Sequence, residues 1–269
     1  DRSKKDILSF NQLKKAILDV QDLGASVIGL TGGEPLLRDD LEDIIASIDK
    51  RSMPIIFTTG YKLTRDRVKS LKKAGLEIPV ISLDHYKAEI HDNGRQKEGI
   101  FDDALNAIKL FQDEGFYVAV SFVPDKPLVS DRREIFKVID FFKDIGINDM
   151  RLTSPILSGK LTSKPEERLS AENVKTIFEI QKKCTRTKGY PGVFAYDFFE
   201  SEKYYGCGAG FNYMFIDSQG NVCPCDFTML SFGNMLERPI REIWAETSQH
   251  FRNPGPACYA KISNDVVVA

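Results

Sequence analysis

A repeated alternation of short apolar runs and amphipathic helices constrains the fold of this chain more than any other feature. A glycine follows four of the predicted helices, namely Gly24, Gly75, Gly115 and Gly146. Glycine readily adopts the left-handed conformation that ends a helix before the next strand begins. Because strands that alternate with helices form parallel sheets with right-handed crossovers, the pattern predicts an α/β fold, either an open doubly wound sheet or a barrel.

The periodicity of the apolar residues gives the order of these elements. We predict strands at 26–30, 54–58, 79–83, 116–123 and 150–153. We predict helices at 10–23, 39–50, 64–75, 100–114, 131–145 and 170–184. In such a sheet the functional groups gather at the carboxyl ends of the strands, so the residues that follow each strand are candidates for a binding site.

The double glycine after the first strand is the most distinctive of these strand ends. The segment consists of Thr31, Gly32, Gly33, Glu34 and Pro35. Two residues without a Cβ atom let backbone N–H and C=O groups come close to a ligand, and the Glu34 carboxylate suits an ammonium group. A tight βα turn without a ligand explains the same residues, and the segment alone does not decide between the two.

Later strand ends carry hydroxyl and carboxylate groups. Thr59 follows the second strand, Ser82 and Asp84 lie at the end of the third, and Arg151 lies in the fifth. Hydroxyls, one carboxylate and glycines suit a polar ligand of nucleoside size, and no cluster of basic residues marks a free triphosphate site. We interpret Asp84 either as a cap or as a ligand of a ribose.

Length and charge limit the classes of function. With 269 residues the chain is long enough for one α/β domain and a small appendage. Its formal net charge of −2 gives no electrostatic basis for binding nucleic acid or an anionic membrane surface. No apolar run could span a bilayer and no signal peptide is visible, so we expect a cytoplasmic protein without membrane or nucleic-acid partners. The sequence opens without a methionine, which we interpret as a processed chain or a fragment.

The cysteines are concentrated towards the C-terminus. Cys207, Cys223, Cys225 and Cys258 surround a predicted hairpin and the helix that follows it. An odd total of five and no secretion signal favour a reducing compartment and metal binding over disulfides. Four dispersed thiolates suit an iron–sulfur cluster, which is wider than one ion, with a tetrahedral zinc site or unliganded thiols as alternatives. Cys184, at a helix end, is interpreted as an ordinary buried thiol.

The regular alternation stops near residue 186. We therefore divide the chain into an α/β domain at 1–186 and a small cysteine-rich α+β extension at 187–269. The extension begins with a segment rich in aromatic residues, at 190–215, which we expect to pack it against the first domain.

Together, these motifs resemble the radical S-adenosylmethionine superfamily, in the branch with a C-terminal SPASM or twitch extension. Segment 31–35 matches the glycine-rich motif of the family, and segment 82–84 is similar to its fourth-strand stretch. A spacing common in peptide-modifying members is matched by His91, Asp92, Arg95, Gly99 and Phe101. The extension's pattern of cysteine, hairpin glycine and cysteine is matched by Cys207, Gly220 and Cys225.

The resemblance implies a partial (β/α)6 barrel whose first strand is missing from this chain. It also implies reductive cleavage of S-adenosylmethionine to a 5′-deoxyadenosyl radical, which abstracts hydrogen from a substrate. At the amino acid end of the cofactor, the implied contacts are Gly32, Gly33 and Glu34, between Thr31 and Pro35. Near the ribose and the carboxylate they are Thr59, Ser82 and Asp84. Near the adenine they are Ile156 and Leu157. No catalytic residue is assigned.

Two clusters are implied. In the extension, an auxiliary [4Fe–4S] cluster would be held by Cys207, Cys223, Cys225 and Cys258. A second [4Fe–4S] cluster, which binds and reduces the cofactor, is held in the family by a Cys-x3-Cys-x2-Cys loop after the first strand. Because no cysteine precedes Cys184, we expect the chain to begin downstream of that loop and to be inactive without it.

The resemblance also implies partners: a peptide or protein substrate, as in peptide or enzyme maturation, and an electron donor such as flavodoxin or ferredoxin. GTP cyclisation in molybdopterin synthesis is an alternative within the family. A non-catalytic peptide-binding protein of the same fold and a barrel lyase with a structural zinc stay open outside it. Metal analysis separates these hypotheses, since iron with sulfide supports the radical enzyme, zinc the lyase and no metal the binding protein.

Overall fold

The computed structural model describes residues 8–157, 161, 163–201, 203–228 and 230–261. Residues 1–7 and 262–269 of the two predicted domains lie outside this part of the chain. The main strands are β1 (Val27–Leu30), β2 (Met53–Thr58), β3 (Ile78–Ser82), β4 (Ala119–Phe122), β5 (Asp149–Leu152) and β6 (Gly192–Ala195). They form one parallel sheet in sequence order, which confirms the predicted α/β class.

Helices connect these strands and continue into the C-terminal part. They are α1 (Phe10–Asp22), α2 (Leu41–Ala46), α3 (Arg65–Ala74), α4 (Ala88–Arg95), α5 (Ile100–Asp113), α6 (Lys126–Ser130), α7 (Arg132–Asp144), α8 (Ala171–Arg186), α9 (Tyr196–Phe199) and α10 (Ile240–His250). Single 3-10 turns occupy Pro35–Leu37 and Pro165–Glu167. A small antiparallel pair, β7 (Phe215–Ile216) and β8 (Val222–Cys223), forms the predicted hairpin.

Local signals in the sequence account for most helix ends. The Thr64 side chain accepts a hydrogen bond from the Arg67 N–H and caps α3, which then ends at Gly75 with a φ of 101°. Ser170 caps α8 through a reciprocal pair of hydrogen bonds with Asn173. These residues fix where α3 and α8 begin and where α3 ends.

The prediction of five strands was wrong, because the sheet has a sixth. Strand β6 pairs along β5, starting where the Gly192 N–H donates to the Asn148 carbonyl oxygen at 2.8 Å. It is only four residues long, opens on a glycine and follows Pro191, so it carries little local strand signal. It lies beyond residue 186, so a segment that we assigned to the extension supplies a strand of the sheet.

The sheet is strongly curved. One face packs on the surrounding helices in the largest core of the molecule, and the opposite face, here called the inner face, holds a smaller cluster around Ile55, Val80 and Ala119. On the inner face the Arg151 guanidinium lies 5.2 Å from the centroid of the Phe57 ring, although their strands are three positions apart. Neighbouring strands are about 4.8 Å apart, so a flat sheet would separate these residues by about 14 Å. The two long side chains span part of that gap, and curvature of the sheet towards its inner face accounts for the rest.

Helix α1 joins the C-terminal part to the sheet. One of its sides contributes Ala16 to a small core with Val222, Ile240 and Ile243 from the hairpin and α10. Another side packs Ile17 against residues of α2. The extension is thus anchored on an element from the start of the chain. Among the described helices, none is long and apolar enough to cross a membrane.

Candidate functional site

The glycine segment leaves the sheet at the carboxyl end of β1 and is open to solvent. Gly32 has a φ of 148°, a conformation that favours glycine over other residues. A Cβ atom placed on Gly32 or Gly33 would meet no other atom within 4 Å. The bare backbone of this turn therefore faces space that a ligand can enter, and Pro35 is buried behind it.

Glu34 joins the ends of two strands. Its Oε1 atom accepts hydrogen bonds from the Thr58 hydroxyl at 2.5 Å and the Leu36 N–H at 3.1 Å. Its Oε2 atom accepts from the Thr59 N–H at 2.8 Å and the Thr59 hydroxyl at 2.5 Å. A carboxylate offers about four acceptor positions, so the chain itself fills them. To contact the ammonium that we predicted, Glu34 would have to release one threonine hydroxyl.

Asp84, at the end of β3, is held by an ion pair and a backbone contact. The Arg95 Nε and Nη2 atoms donate to its Oδ2 atom at 2.7 and 2.6 Å. Its Oδ1 atom accepts from the Val123 N–H at 3.1 Å, and the Asp84 N–H donates to His91 Nδ1 at 3.2 Å. The structure thus uses Asp84 to join the ends of β3 and β4 to helix α4, and the predicted ribose contact stays a prediction.

The remaining residues of the 91–101 motif complete this arrangement. The Asp92 carboxylate accepts from the Gly99 N–H at 2.7 Å and the Phe101 N–H at 2.8 Å, at the start of α5. Gly99 has a φ of 76°, which explains the glycine. His91 is buried, and burial lowers the pKa of its imidazole. The motif is therefore a structural latch that fixes α4, α5 and Asp84 relative to one another.

A row of residues crosses the inner face near the carboxyl ends of the central strands. Ser82, Ser121, Arg151 and Phe194 are successive partners in the register of β3 to β6. Partners in parallel register point to the same side of a sheet, so these side chains share the inner face. Arg151 is half-buried and also hydrogen-bonds Tyr196, whose pKa is raised by burial.

The two residues predicted near the adenine follow β5. Ile156 is buried in a small cluster with Cys258, Ala260 and Phe227, so it lies where the sheet end meets the cysteine-rich extension. Leu157 is half-buried beside it in the chain. Ser154 and Lys261 both contact the Asp197 carboxylate, which ties this loop to the C-terminal segment.

Two of the four candidate cysteines are in direct contact. The Cys258 thiol hydrogen-bonds Cys207 and lowers the pKa of Cys207 to about 6, whereas the pKa of Cys258 is raised. The Tyr259 N–H also donates to the Cys207 sulfur at 3.4 Å. Glu200 contacts Cys258, and burial raises the pKa of its carboxyl to about 7. Both thiols are buried.

Cys225 and Cys223 differ although one residue separates them. The Cys225 sulfur accepts from the Phe227 N–H at 3.4 Å, lies 3.4 Å from an Asp226 oxygen and is close enough to Cys207 for their charges to interact. Cys223 lies in β8 with its sulfur 3.9 Å from the Asn221 carbonyl oxygen, and burial raises its pKa to about 11.

These thiols suit a cluster better than a single ion. Sulfur atoms that are largely withdrawn from solvent and accept backbone N–H hydrogen bonds have the donor chemistry of iron–sulfur ligands. Within the described part of the chain, however, no three His, Cys, Asp or Glu side chains converge closely enough to hold a metal ion. A cluster is wider than one ion and accepts thiolates that are farther apart, so this spread favours a cluster over a zinc site.

Comparison with protein families decides the assignment. The model of the radical SAM superfamily matches residues 1–142, and that of an iron–sulfur cluster-binding domain, SPASM, matches residues 207–262. The chain belongs to the radical SAM superfamily. The cofactors of its two family regions are S-adenosylmethionine and [4Fe–4S] clusters, as predicted.

Relatives and a solved structure extend this result. The chain is 26% identical to an AdoMet-dependent heme synthase of Methanosarcina barkeri, over 92% of this chain and 76% of the relative. It is 30% identical to an Fe-coproporphyrin III synthase of the same organism, over 90% and 67%. The structure of Streptococcus suis SuiB bound to S-adenosylmethionine superposes with a TM-score of 0.72 at 18% identity. That match covers 91% of this chain and 59% of SuiB, and it supports the fold alone.

Sequence reasoning missed several groups that the fold brings to the site. Arg151 was visible as a charged residue in an otherwise apolar strand, but nothing in the sequence indicated that it reaches Phe57 across the inner face. Thr58 is the last residue of the second predicted strand, 54–58, but nothing in the sequence indicated that its hydroxyl donates to Glu34. Glu200 had no signal, because its contact with Cys258 depends on packing between distant segments.

Proposed function

We propose that this chain is the cofactor-binding sheet and auxiliary-cluster extension of a radical enzyme that cleaves S-adenosylmethionine. The observation that carries the proposal is the open glycine turn at Gly32 and Gly33, which Glu34 locks to the neighbouring strand. Bound together, S-adenosylmethionine and a reduced [4Fe–4S] cluster supply a 5′-deoxyadenosyl radical for hydrogen abstraction. The residues of this chain would bind and orient the cofactor and shield it from solvent.

The strand ends would hold the cofactor. Backbone groups of Gly32 and Gly33 contact its amino acid end, where a side chain would occupy the ligand's space. Thr59 and Ser82 offer hydroxyls, and Asp84, already fixed by Arg95, offers little free acceptor capacity. We therefore propose that Glu34 and Asp84 act mainly by positioning the strand ends. The predicted adenine contacts, Ile156 and Leu157, lie after β5.

The extension would hold the auxiliary cluster through Cys207, Cys225 and Cys258. Contacts between the first and the last of these, and the charge interaction between Cys207 and Cys225, support the choice. Cys223, which was predicted as a fourth ligand, faces Asn221 and the Asp217 charge instead. We propose that it contributes least to the binding of iron.

Two substrate classes remain candidates. A peptide or protein substrate was predicted from the 91–101 motif, but in the structure that motif is a latch, so it supports this class less than its spacing suggested. The two relatives that match 92% and 90% of this chain are named for the synthesis of heme and of Fe-coproporphyrin III, and they favour an iron tetrapyrrole. The half-exposed aromatic Phe194, stacked on Phe199 with 4.1 Å between ring centroids, suits a flat ligand beside the inner face.

The proposal is tested by assaying 5′-deoxyadenosine anaerobically with S-adenosylmethionine and dithionite. Protein expressed from its complete coding sequence should form the product, and Gly33→Val should lower the yield at least about tenfold by filling the ligand's space. Gly94→Val is the matched control, because Gly94 also has open space around it but lies in α4. Equal loss in both variants, or none in Gly33→Val, would reject the cofactor site.

A second arm uses the 269-residue chain, which has no cysteine before Cys184. After reconstitution it should form no 5′-deoxyadenosine above a cluster-free control, because residues 1–183, which include the glycine turn, contain no cysteine that could hold a cluster beside the cofactor. Formation of the product would show that the cysteines of the extension have been misassigned. Adding iron coproporphyrin III to the complete protein, and measuring its decarboxylation, then tests the tetrapyrrole class directly.

A further inference from the structure

Arg151 is a charged side chain placed inside the curve of the sheet. Its guanidinium lies over the Phe57 ring at 5.2 Å and hydrogen-bonds Tyr196, so two aromatic residues from distant strands and helices fix its position. Among the ion pairs of the described residues, none within 4.0 Å joins Arg151 to a carboxylate. Asp149, two residues earlier on the same face, interacts with it only at longer range.

Arg151 is half-buried, and with no carboxylate of the described residues within 4.0 Å its guanidinium can still pair with an anion. Lys and Arg that are withdrawn from water are normally paired, and an arginine fork matches a carboxylate with two parallel hydrogen bonds. The contact with the Phe57 ring uses none of the N–H groups and Tyr196 uses part of the guanidinium, so other N–H groups stay available for an acceptor. The neighbouring positions in the register, Ser121 and Phe194, add a hydroxyl on one side and an aromatic ring on the other.

We propose that Arg151 is the carboxylate-binding residue of the site, with Phe57 and Tyr196 as its positioning partners. Two ligands could bring the carboxylate: the methionyl group of S-adenosylmethionine or the propionate of a tetrapyrrole substrate. Both carry the same charge and the same pair of acceptor oxygens. The inference rests on the proposed function for the choice of ligands, but binding is measured without turnover.

Binding to the holoenzyme from the complete coding sequence tests the proposal. Four probes are titrated: S-adenosylmethionine, its decarboxylated analogue, iron coproporphyrin III and the tetramethyl ester of that porphyrin. Because Arg151→Gln removes a charged hydrogen bond, it should weaken binding of the relevant acid at least about tenfold. Binding of the matching probe without a carboxylate should change less than about twofold.

The pattern of losses identifies the source of the carboxylate. Weaker binding of S-adenosylmethionine alone assigns Arg151 to the cofactor, and weaker binding of the porphyrin acid alone assigns it to the substrate. Arg151→Lys, which keeps the charge without the fork, should lie between the wild type and Arg151→Gln. Arg132→Gln is the matched control, because Arg132 also lies over a phenylalanine ring, at 5.5 Å from its centroid, on the outer surface.

Three results would overturn the inference. They are unchanged binding of both acids to Arg151→Gln, equal loss for each acid and its neutral analogue, and equal loss in the control variant. Thermal melts of each variant show whether a loss reflects unfolding, and in that case Arg151→Lys supplies the test. If the unsubstituted protein binds neither S-adenosylmethionine nor the porphyrin, the proposed function itself fails, which is a different outcome from a failure at Arg151.

Discussion

The strand ends and the cysteine-rich extension of this protein are organised in opposite ways. At the strand ends, carboxylate oxygens accept hydrogen bonds from other side chains of the protein: Glu34 accepts from two threonines and Asp84 from Arg95. In the extension, Cys207 and Cys258 touch, but no three candidate ligands among the described residues converge on one point. The comparison suggests that folding alone builds the first site, whereas the second needs its metal to be completed.

This difference has a physical origin. The strand ends belong to a six-stranded sheet that packs on the largest core among the described residues, so ladder hydrogen bonds and buried side chains position them. The extension has one antiparallel pair of two-residue strands and a small core shared with α1. A segment with so little regular structure gains much of its order from metal ligation.

Removal of iron should have the largest effect on the difference between the strand ends and the extension. We expect chelation under reducing conditions to raise amide hydrogen exchange in 207–228 and 255–261 by at least about tenfold, because these segments would lose their cross-link. Exchange in β2 and β3 should stay unchanged, and these strands are the internal control. Faster exchange throughout the chain would show that both regions depend on the metal and would contradict the comparison.

A smaller effect is expected from Glu34→Gln, which removes one acceptor oxygen that Thr59 uses. The amide nitrogen of the new side chain would face a backbone N–H or a hydroxyl, and the loss should cost about 2 kcal/mol in the free energy of unfolding. Urea denaturation measures it. Glu77→Gln, at an exposed position, is the control and should change stability by less than about 0.5 kcal/mol. Similar stability of the two variants would show that the Glu34 network is not important for folding.

The smallest effect is expected on the pH dependence of stability, through His91 in the 91–101 motif. Burial lowers the pKa of His91 below 6.5, so below that pH the unfolded chain binds more protons than the folded one. The contribution of His91 to stability is therefore complete above pH 6.5 and is lost as the pH falls towards 5. His91→Gln should flatten this part of the pH dependence of unfolding, measured by urea titration between pH 5 and 7.5. The same slope in wild type and variant would place the titration elsewhere.

Periodicity and capping residues predicted most of the fold. Thr64, Ser170 and Gly75 act locally, so the sequence contains what is needed to place them. Strand β6 escaped prediction because its only support is pairing with β5. The helix predicted at 39–50 was too long, since α2 spans Leu41–Ala46 and ends at its C-cap, Ser47.

The sequence predicted where the candidate site lies in the fold, but it did not predict the side-chain contacts within it. The glycine turn follows a strand as expected. The oxygens of Glu34 and Asp84, however, accept hydrogen bonds from other residues of the chain. The sequence did not indicate these bonds, because the sheet brings the partners together from distant segments. Cys223 and Cys225 are two residues apart, which in a continuous strand would put both on one face. The strand ends at Cys223, so Cys225 lies in the following turn and its sulfur has different neighbours.

The most direct test of this account is the iron and sulfide content of the reconstituted 269-residue chain. Any cluster in this chain must use the extension, because no cysteine precedes Cys184. We predict about four iron and four sulfide per chain, a loss of most of both in Cys225→Ser, and near-normal content in Cys223→Ser and Cys184→Ser. About one zinc per chain without sulfide, or iron that survives Cys225→Ser but not Cys223→Ser, would contradict it.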